Sequence, residues 1–233
     1  RPNRARFLVE TVRAVRRAVG ADVPVSVKLN SDDFRKGGFS HADCLGVVEL
    51  LNGEGVDLLE ISGGNYEQPR LLGIAGRDDD AVQVRPSTRV REAYFLDYAA
   101  AIRRVATMPL MVTGGFRTRA GMEAALASGD TDVIGIGRPF CTHPDVARRL
   151  LAGEIDELPA FEHRLHLRPR GWLSPASPWL LPKMINVLGA QGWYYQQMDR
   201  LADGRAPDLG RGMLRSFARY WWNDLGKAAR LTR

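Results

Sequence analysis

Two glycine turns, one with an arginine beside it, carry the chemistry this sequence is equipped for. Residues 113–140 read TGGFRTRAGMEAALASGDTDVIGIGRPF. Gly114-Gly115 follows the apolar run 109–112, and Gly137-Arg138-Pro139 follows the apolar run 133–136. Between them Ala120, Met122, Ala124, Ala125 and Leu126 keep helical spacing up to a stop at Gly129. The order is strand, turn, helix, strand, turn, a βαβ unit whose glycine turns lie at the C-terminal ends of its strands. Glycine lets an anion approach bare backbone N–H groups, because no Cβ stands in the way. A helix start adds a favourable dipole, and Arg138 adds a charged planar donor fork. Phosphate suits such a site. The plainer alternative is that these glycines only make tight strand-to-helix turns. Two such turns at neighbouring strand ends, the second followed by Arg-Pro, favour phosphate.

A second chemical candidate is Lys28, in the alternating stretch 24–30, PVSVKLN. A strand covered on both faces has no cheap place for an unpaired ammonium. Lys28 therefore either faces a ligand or pairs with Asp32, Asp33 or Glu60. The residues alone leave both open. Glu60 lies in the strand 57–61, which ends in a third glycine turn, Gly63-Gly64. Asp78-Asp79-Asp80 sits in a long polar segment, 65–90, and reads as solvated loop rather than metal site. Cys44 and Cys141 are the only cysteines and have no CxxC spacing. Ordinary packing, a reducing compartment such as the cytoplasm, and no zinc or iron–sulfur site are expected.

The elements that must position these residues follow from periodicity. Residues 4–19 carry Phe7, Leu8, Val12, Val15 and Val19 as a helical stripe, with Arg13, Arg16 and Arg17 on a solvated face. Helices are predicted over 41–55, with Leu45, Val48, Leu51 and Val56 inward, over 91–106, and from Asp145 to a stop at Gly153. After the first helix the order is four repeats of strand then helix. Pattern alone fits half of an α/β barrel or a doubly wound sheet. In barrels of eight such units a phosphate site often follows strands seven and eight.

From residue 154 the composition changes. Pro159, Pro169, Pro175, Pro178 and Pro182, with all five tryptophans, punctuate the tail, and helical pieces are predicted near 180–203, 211–222 and 223–231. The aromatics are expected in core and interface packing, with the tail seated on the preceding domain or on a second subunit of a homo-oligomer. The net charge of +6 is scattered arginine rather than a lysine block, so no nucleic-acid arm is expected. No apolar run has transmembrane length, and no membrane partner is expected. The first residue, Arg1, is not methionine, and the chain reads as a piece of a longer one.

Several motifs, taken together, resemble the Old Yellow Enzyme family of FMN-dependent NAD(P)H:flavin oxidoreductases. They are NRARF at 3–7, VSVKLN at 25–30, LLEISGG at 58–64, STRVREAYFLDYAAAIR at 87–103, TGGFRT at 113–118 and GIGRPF at 135–140. The resemblance implies a (β/α)8 barrel of which residues 1–153 are the C-terminal half, strands five to eight, followed by a helical extension over 154–233. It implies FMN as cofactor, NAD(P)H as reductant and an α,β-unsaturated carbonyl as substrate. Lys28 matches the basic residue near the flavin N1–C2 carbonyl edge. Gly114 and Gly115 match the phosphate turn after strand seven, and Gly137 and Arg138 match the turn after strand eight. The family's histidine-containing substrate clamp and its tyrosine proton donor belong to strand four and the segment after it, which the matched stretch does not include. None of His41, His143, His163 and His166 matches a family position, so no catalytic residue is assigned. Two other readings compete with this one. One is a barrel enzyme acting on another phosphate ligand. The other is a non-catalytic subunit that works through association.

Overall fold

The computed structural model describes residues 2–33, 37–62 and 96–231. Gly63-Gly64, the segment 65–90 and the first turn of the helix expected at 91–106 lie outside them. The described residues fall into two compact units, one up to Ile136 and one from Gly137 onward.

The first unit contains α1 (Pro2–Val19), β1 (Ser26–Asn30), α2 (His41–Leu51), β2 (Leu58–Ser62), α3 (Leu96–Arg103), β3 (Leu110–Thr113), α4 (Arg119–Ala127) and β4 (Val133–Gly135). Its four strands pair in chain order, all parallel. This is the α/β class with a parallel sheet. Register puts Lys28 beside Glu60, Glu60 beside Met111 and Met111 beside Val133. Alternation then assigns Val27, Leu59, Ile61, Leu110 and Val112 to the opposite face, where all are buried. Helix starts are set by side chains. Ser40 and Asp43 form a capping box on α2, and Thr118 Oγ1 accepts from Gly121 N on α4 at 3.1 Å.

Helix α1 is rotated from the expected stripe. Ala5 and Val12 are buried, whereas Phe7 is 83% exposed. Arginine sets the rotation. Arg16 was expected on a solvated face, but it turns inward to the carbonyls of Gly20, Val23 and Gly55 and to the carboxylate of Asp57. Arg13 makes a two-point pair with Glu54. An arginine stem can cover apolar surface while its head satisfies carbonyls, so helical hydrophobicity alone misphases this face. On α2 the buried residue is Cys44 rather than Leu45. Burial among apolar neighbours pushes the Cys44 thiol up to about 12, which makes it a packing residue.

The second unit contains a short 3₁₀ turn (Arg138–Cys141), α5 (Val146–Leu151), a second 3₁₀ turn (Phe161–His163), α6 (Leu180–Ala202) and α7 (Met213–Leu231). The last helix is continuous where two pieces were expected. Asn223, Asp224 and Gly226 have low helix propensity, but none removes a backbone N–H, so the helix runs through them. The α6–α7 contact is close because of two glycines. A Cβ on Gly192 would lie 2.6 Å from Tyr220 Cβ and 3.1 Å from Ser216 O, and one on Gly189 would meet Met213. Gln196 Nε2 donates to Ser216 O at 2.9 Å across the same contact. Asn186 accepts from Leu167 N at 2.8 Å and donates to Leu173 O at 2.9 Å, which fixes the preceding loop on α6. Leu165, Trp193, Tyr194 and Met213 form the core of this unit. Of the five tryptophans only Trp193 is buried; Trp172, Trp179, Trp221 and Trp222 are exposed on this chain, contrary to core packing. No helix among the described residues is long and apolar enough to cross a membrane.

Charged clamps at the strand starts give the first unit a defined acid response. Asp57 accepts from Val25 N at 2.7 Å and from Arg16; Asp132 accepts from Leu110 N at 2.7 Å and from Arg103. Asp57's pKa is lowered first by the Val25 amide and then by Arg16, and Asp132's first by Arg103 and then by the Leu110 amide. A depressed folded-state pKa contributes stability that is present above the ordinary aspartate value of about 3.9 and is lost as pH falls through and below it. The urea midpoint should therefore hold steady from neutral pH to roughly pH 5 and fall below about pH 4. Asp132→Asn should lower the midpoint at pH 7 and flatten the acid limb. An Asp132→Asn midpoint equal to wild type at pH 7 would rule the clamp out as a source of stability.

Candidate functional site

In the first unit the candidate site forms at the C-terminal ends of the strands. Strand β3 ends at Thr113, and Gly114 and Gly115 follow with φ of 118° and 87°. Two successive positive φ values demand glycine and bring the chain around with its backbone bare. Beside the turn, a Cβ on Gly135 would come within 1.8 Å of Thr113 Oγ1. Thr113 leans into the space that Gly135 leaves. Its Oγ1 is buried and has no hydrogen-bond partner among the described residues. The same holds for Ser31 Oγ, just past the end of β1, although its backbone N donates to Ser62 O. Buried hydroxyls without partners are uncommon and call for one. The opposite ends of the strands have their polar groups paired. Asp57 and Asp132 are clamped as described, Asn52 bonds Val105 O and Thr107 N, and Thr131 Oγ1 bridges Leu110 O and Val112 N.

Lys28 and Glu60 are direct neighbours across β1 and β2, and Lys28 Nζ donates to Glu60 Oε1 at 2.6 Å. The ammonium is mostly solvent-exposed and the carboxylate mostly covered. Of the carboxylates named from sequence, Glu60 is therefore the one that meets Lys28. Asp33 instead organises the loop after β1, accepting from Asn30 Nδ2 and Phe39 N.

In the second unit Arg138 opens the 3₁₀ turn, with its Nη1 3.4 Å from Glu162 Oε1. Tyr194 OH donates to Glu162 Oε2 at 3.0 Å and so fixes the carboxylate that holds the arginine. Gly137 has φ −117°, which any residue can adopt, and a Cβ there would meet open space. Backbone conformation does not require this glycine, and the room over it suits an approaching ligand. Glu162 and Tyr194 were not legible in the sequence. They lie 24 and 56 positions beyond Arg138, on a 3₁₀ turn and on α6. Among the histidines, His143 stacks on Phe161 and bonds Thr142 Oγ1, and His41 packs edge-on against Tyr98. The Cys141 thiol is pushed up by burial.

The residues present fit a phosphate-bearing cofactor. Bare backbone and an unpartnered hydroxyl stand at the β3 end, and a pre-oriented arginine follows β4 in the chain.

Comparison with known proteins identifies the family. Residues 1–157 match the NADH:flavin oxidoreductase / NADH oxidase family. The NADH-dependent flavin oxidoreductase iliE of Neonectria sp. (strain DH2) is 41% identical over 143 residues, 60% of this chain and 18% of that protein. The NADH-dependent flavin oxidoreductase iccE of Talaromyces variabilis is 32% identical over 213 residues, 86% of this chain and 47% of that protein. The chain thus spans less than half the length of these relatives. The structure of a 2-naphthoyl-CoA reductase, 24% identical, covers 67% of this chain with a TM-score of 0.54, a likeness of fold. By sequence match over two thirds of its length, the chain belongs to the NADH:flavin oxidoreductase / NADH oxidase family, the family of Old Yellow Enzyme.

Proposed function

We propose that this chain supplies strands five to eight of a (β/α)8 NAD(P)H oxidoreductase, with residues 1–153 as the barrel portion and 154–233 as a helical extension. The observation that carries the reading is the polar imbalance of the sheet. Its strand starts are paired, while Thr113 Oγ1 and Ser31 Oγ, near the strand ends, have no partner among the described residues, Thr113 beside two positive-φ glycines. Strand C-termini are where α/β folds bind ligands. Bound FMN would accept a hydride from NAD(P)H and pass it to the activated C=C of an unsaturated carbonyl.

The chain's own residues bind and tune. Gly114 and Gly115 offer backbone N–H groups to phosphate, and Thr113 Oγ1 stands ready to donate a hydrogen bond. Gly137 and Arg138 are proposed as phosphate contacts on the family match, with Glu162 and Tyr194 fixing the guanidinium before ligand arrives. Lys28 offers its charge to the anionic edge of reduced flavin. Glu60, 2.6 Å away, draws on the same ammonium, so it tempers the charge the flavin feels.

A second reading, non-catalytic association through the tail, draws support from the exposed Trp172, Trp179 and Trp222. Turnover and subunit mass separate the two. On the enzyme reading, strands five to eight lack the substrate clamp and proton donor of strand four and beyond. The isolated 233-residue chain should then bind FMN weakly and show no anaerobic NAD(P)H-dependent loss of cyclohexenone above a free-FMN control. Turnover clearly above the control would mean the other half of the barrel is dispensable.

Two substitutions test the cofactor contacts. Arg138→Ala should weaken FMN binding by about 1.5–3 kcal/mol, the scale of a charge-assisted hydrogen bond. A fluorescence titration with unchanged affinity removes Arg138 from the site. Lys28→Met should lower the reduction potential of bound FMN, and Glu60→Gln should raise it by freeing the ammonium. Spectroelectrochemistry showing both variants at the wild-type potential would return Lys28 and Glu60 to a purely structural pair.

A further inference from the structure

A cleft of about 630 Å³ lies in the second unit between residues 164–167 and the start of α7. It is lined by Arg164, His166, Arg211, Gly212 and Arg215, none of which has a part in the cofactor reading. The Arg211 side chain is only 8% exposed. Its Nη1 reaches Asp208 Oδ2 at 3.5 Å, the outer limit of a hydrogen bond, and its Nε is buried with no partner among the described residues. Buried without partner too is His166 Nδ1. An arginine does not escape such burial by losing its proton. Desolvation, with repulsion from Arg215 and Arg219, lowers its pKa, so the charge is held against resistance. The start of α7 adds to the field. Gly212 O accepts from Ser216 N, which makes Gly212 the N-cap and leaves the first-turn amides without intrahelical partners.

We propose that this cleft binds the phosphoryl group of a small molecule, a phosphomonoester or a diphosphate. Three arginines, Arg164, Arg211 and Arg215, line the cleft, and no carboxylate is among its lining residues. Arg211 has its long contact to Asp208, and Arg164 donates to Leu209 O at 2.9 Å and lies over the Phe161 ring, so a dianion suits the excess of positive charge better than a carboxylate would. The planar donor fork of arginine matches phosphoryl oxygens. The volume falls within the range of about 300–1,000 Å³ usual for small-molecule sites, so it has room for more than the anion alone. This assignment stands apart from the FMN reading.

The test is calorimetric titration of the full chain, saturated with FMN, with inorganic pyrophosphate, inorganic phosphate and acetate at matched ionic strength. One saturable site is expected, with pyrophosphate at least tenfold tighter than acetate. Arg211→Gln and Arg215→Gln should each weaken pyrophosphate at least tenfold, and Arg138→Gln should leave it unchanged. Arg215 is exposed, so its variant stays informative if Arg211→Gln fails to fold. No saturable site, equal affinity for acetate, or full affinity in folded Arg215→Gln overturns the proposal. So does binding lost in Arg138→Gln and kept in Arg211→Gln, which would assign the anion to Arg138. Failure of the FMN reading looks different: FMN affinity indifferent to Arg138→Ala, with the pyrophosphate isotherm intact.

Discussion

One repeated clamp sets the frame of the parallel sheet. Arg16 on α1 donates Nε to Gly55 O at 3.1 Å and a terminal nitrogen to Asp57, which accepts from Val25 N at the entrance to β1. Arg103 on α3 donates Nε to Gly129 O at 3.2 Å and a terminal nitrogen to Asp132, which accepts from Leu110 N at the start of β3. Gly55 and Gly129 have φ of 74° and 75°. The same four-part device thus occurs twice, each time tying a helix to the strand after it and to the next strand along. A carboxylate that accepts both a backbone amide and a guanidinium fixes register more firmly than either bond alone. Each pair is partly open to water, so its worth lies in geometry more than in net energy.

Fixing the strand starts leaves the strand ends available for ligand. At that end Gly135 admits Thr113, and Gly114-Gly115 turns the chain away at two successive positive φ values. On the proposed reading the polar groups that bind are ones the fold leaves unpaired, and the Oγ atoms of Thr113 and Ser31, without partners among the described residues, are the local cost. Lys28 obeys the opposite rule. It is already paired, so any effect on a ligand is the difference between two partners competing for one ammonium. Read from the strand pattern alone, ligand and Glu60 looked like alternatives. The register makes them concurrent, because the carboxylate stands beside the lysine whether or not a ligand is bound.

Legibility in the sequence followed the range of the interaction. Parallel strands with helices between them could be read because apolar alternation and glycine stops are local signals. Gly129 and Gly153 end helices as expected, both at φ 75°. What escaped was long-range pairing. The misphased α1 stripe traces to Arg16, whose partners Gly55 and Asp57 lie 39 and 41 residues away. The close approach of α7 to α6 traces to Gly189 and Gly192 on another helix, which let Met213, Ser216 and Tyr220 come near. Glycine is a weak helix former, yet inside α6 the use of Gly189 and Gly192 is the missing side chain. The glycines and arginine of the candidate site were legible because the family motifs spell them contiguously. Glu162 and Tyr194 were not, because only the fold brings them to Arg138.

Two arginines of the second unit show what separates a prepared group from a stressed one. Arg138 has a carboxylate partner, Glu162, that is itself held by the Tyr194 hydroxyl at 3.0 Å. Tyr194 is fixed in turn by Trp193, edge-on with ring centroids 5.1 Å apart, inside the apolar core. Each link removes rotamer freedom before any ligand arrives, which lowers the entropy lost on binding. Arg211 is more deeply covered, yet its carboxylate contact is long, one nitrogen has no partner, and like charges stand at the fourth and eighth positions after it. In water such an arginine would turn outward. Here Met213 follows it into the core two residues later, and the start of α7 is tied to α6 through Gln196 and through Gln197, which accepts from Asp208 N at 2.7 Å. The backbone on both sides of Arg211 is tied to α6 and the core. An anion that reached it would relieve desolvation and repulsion together, whereas at Arg138 it would have to share a partner already in place.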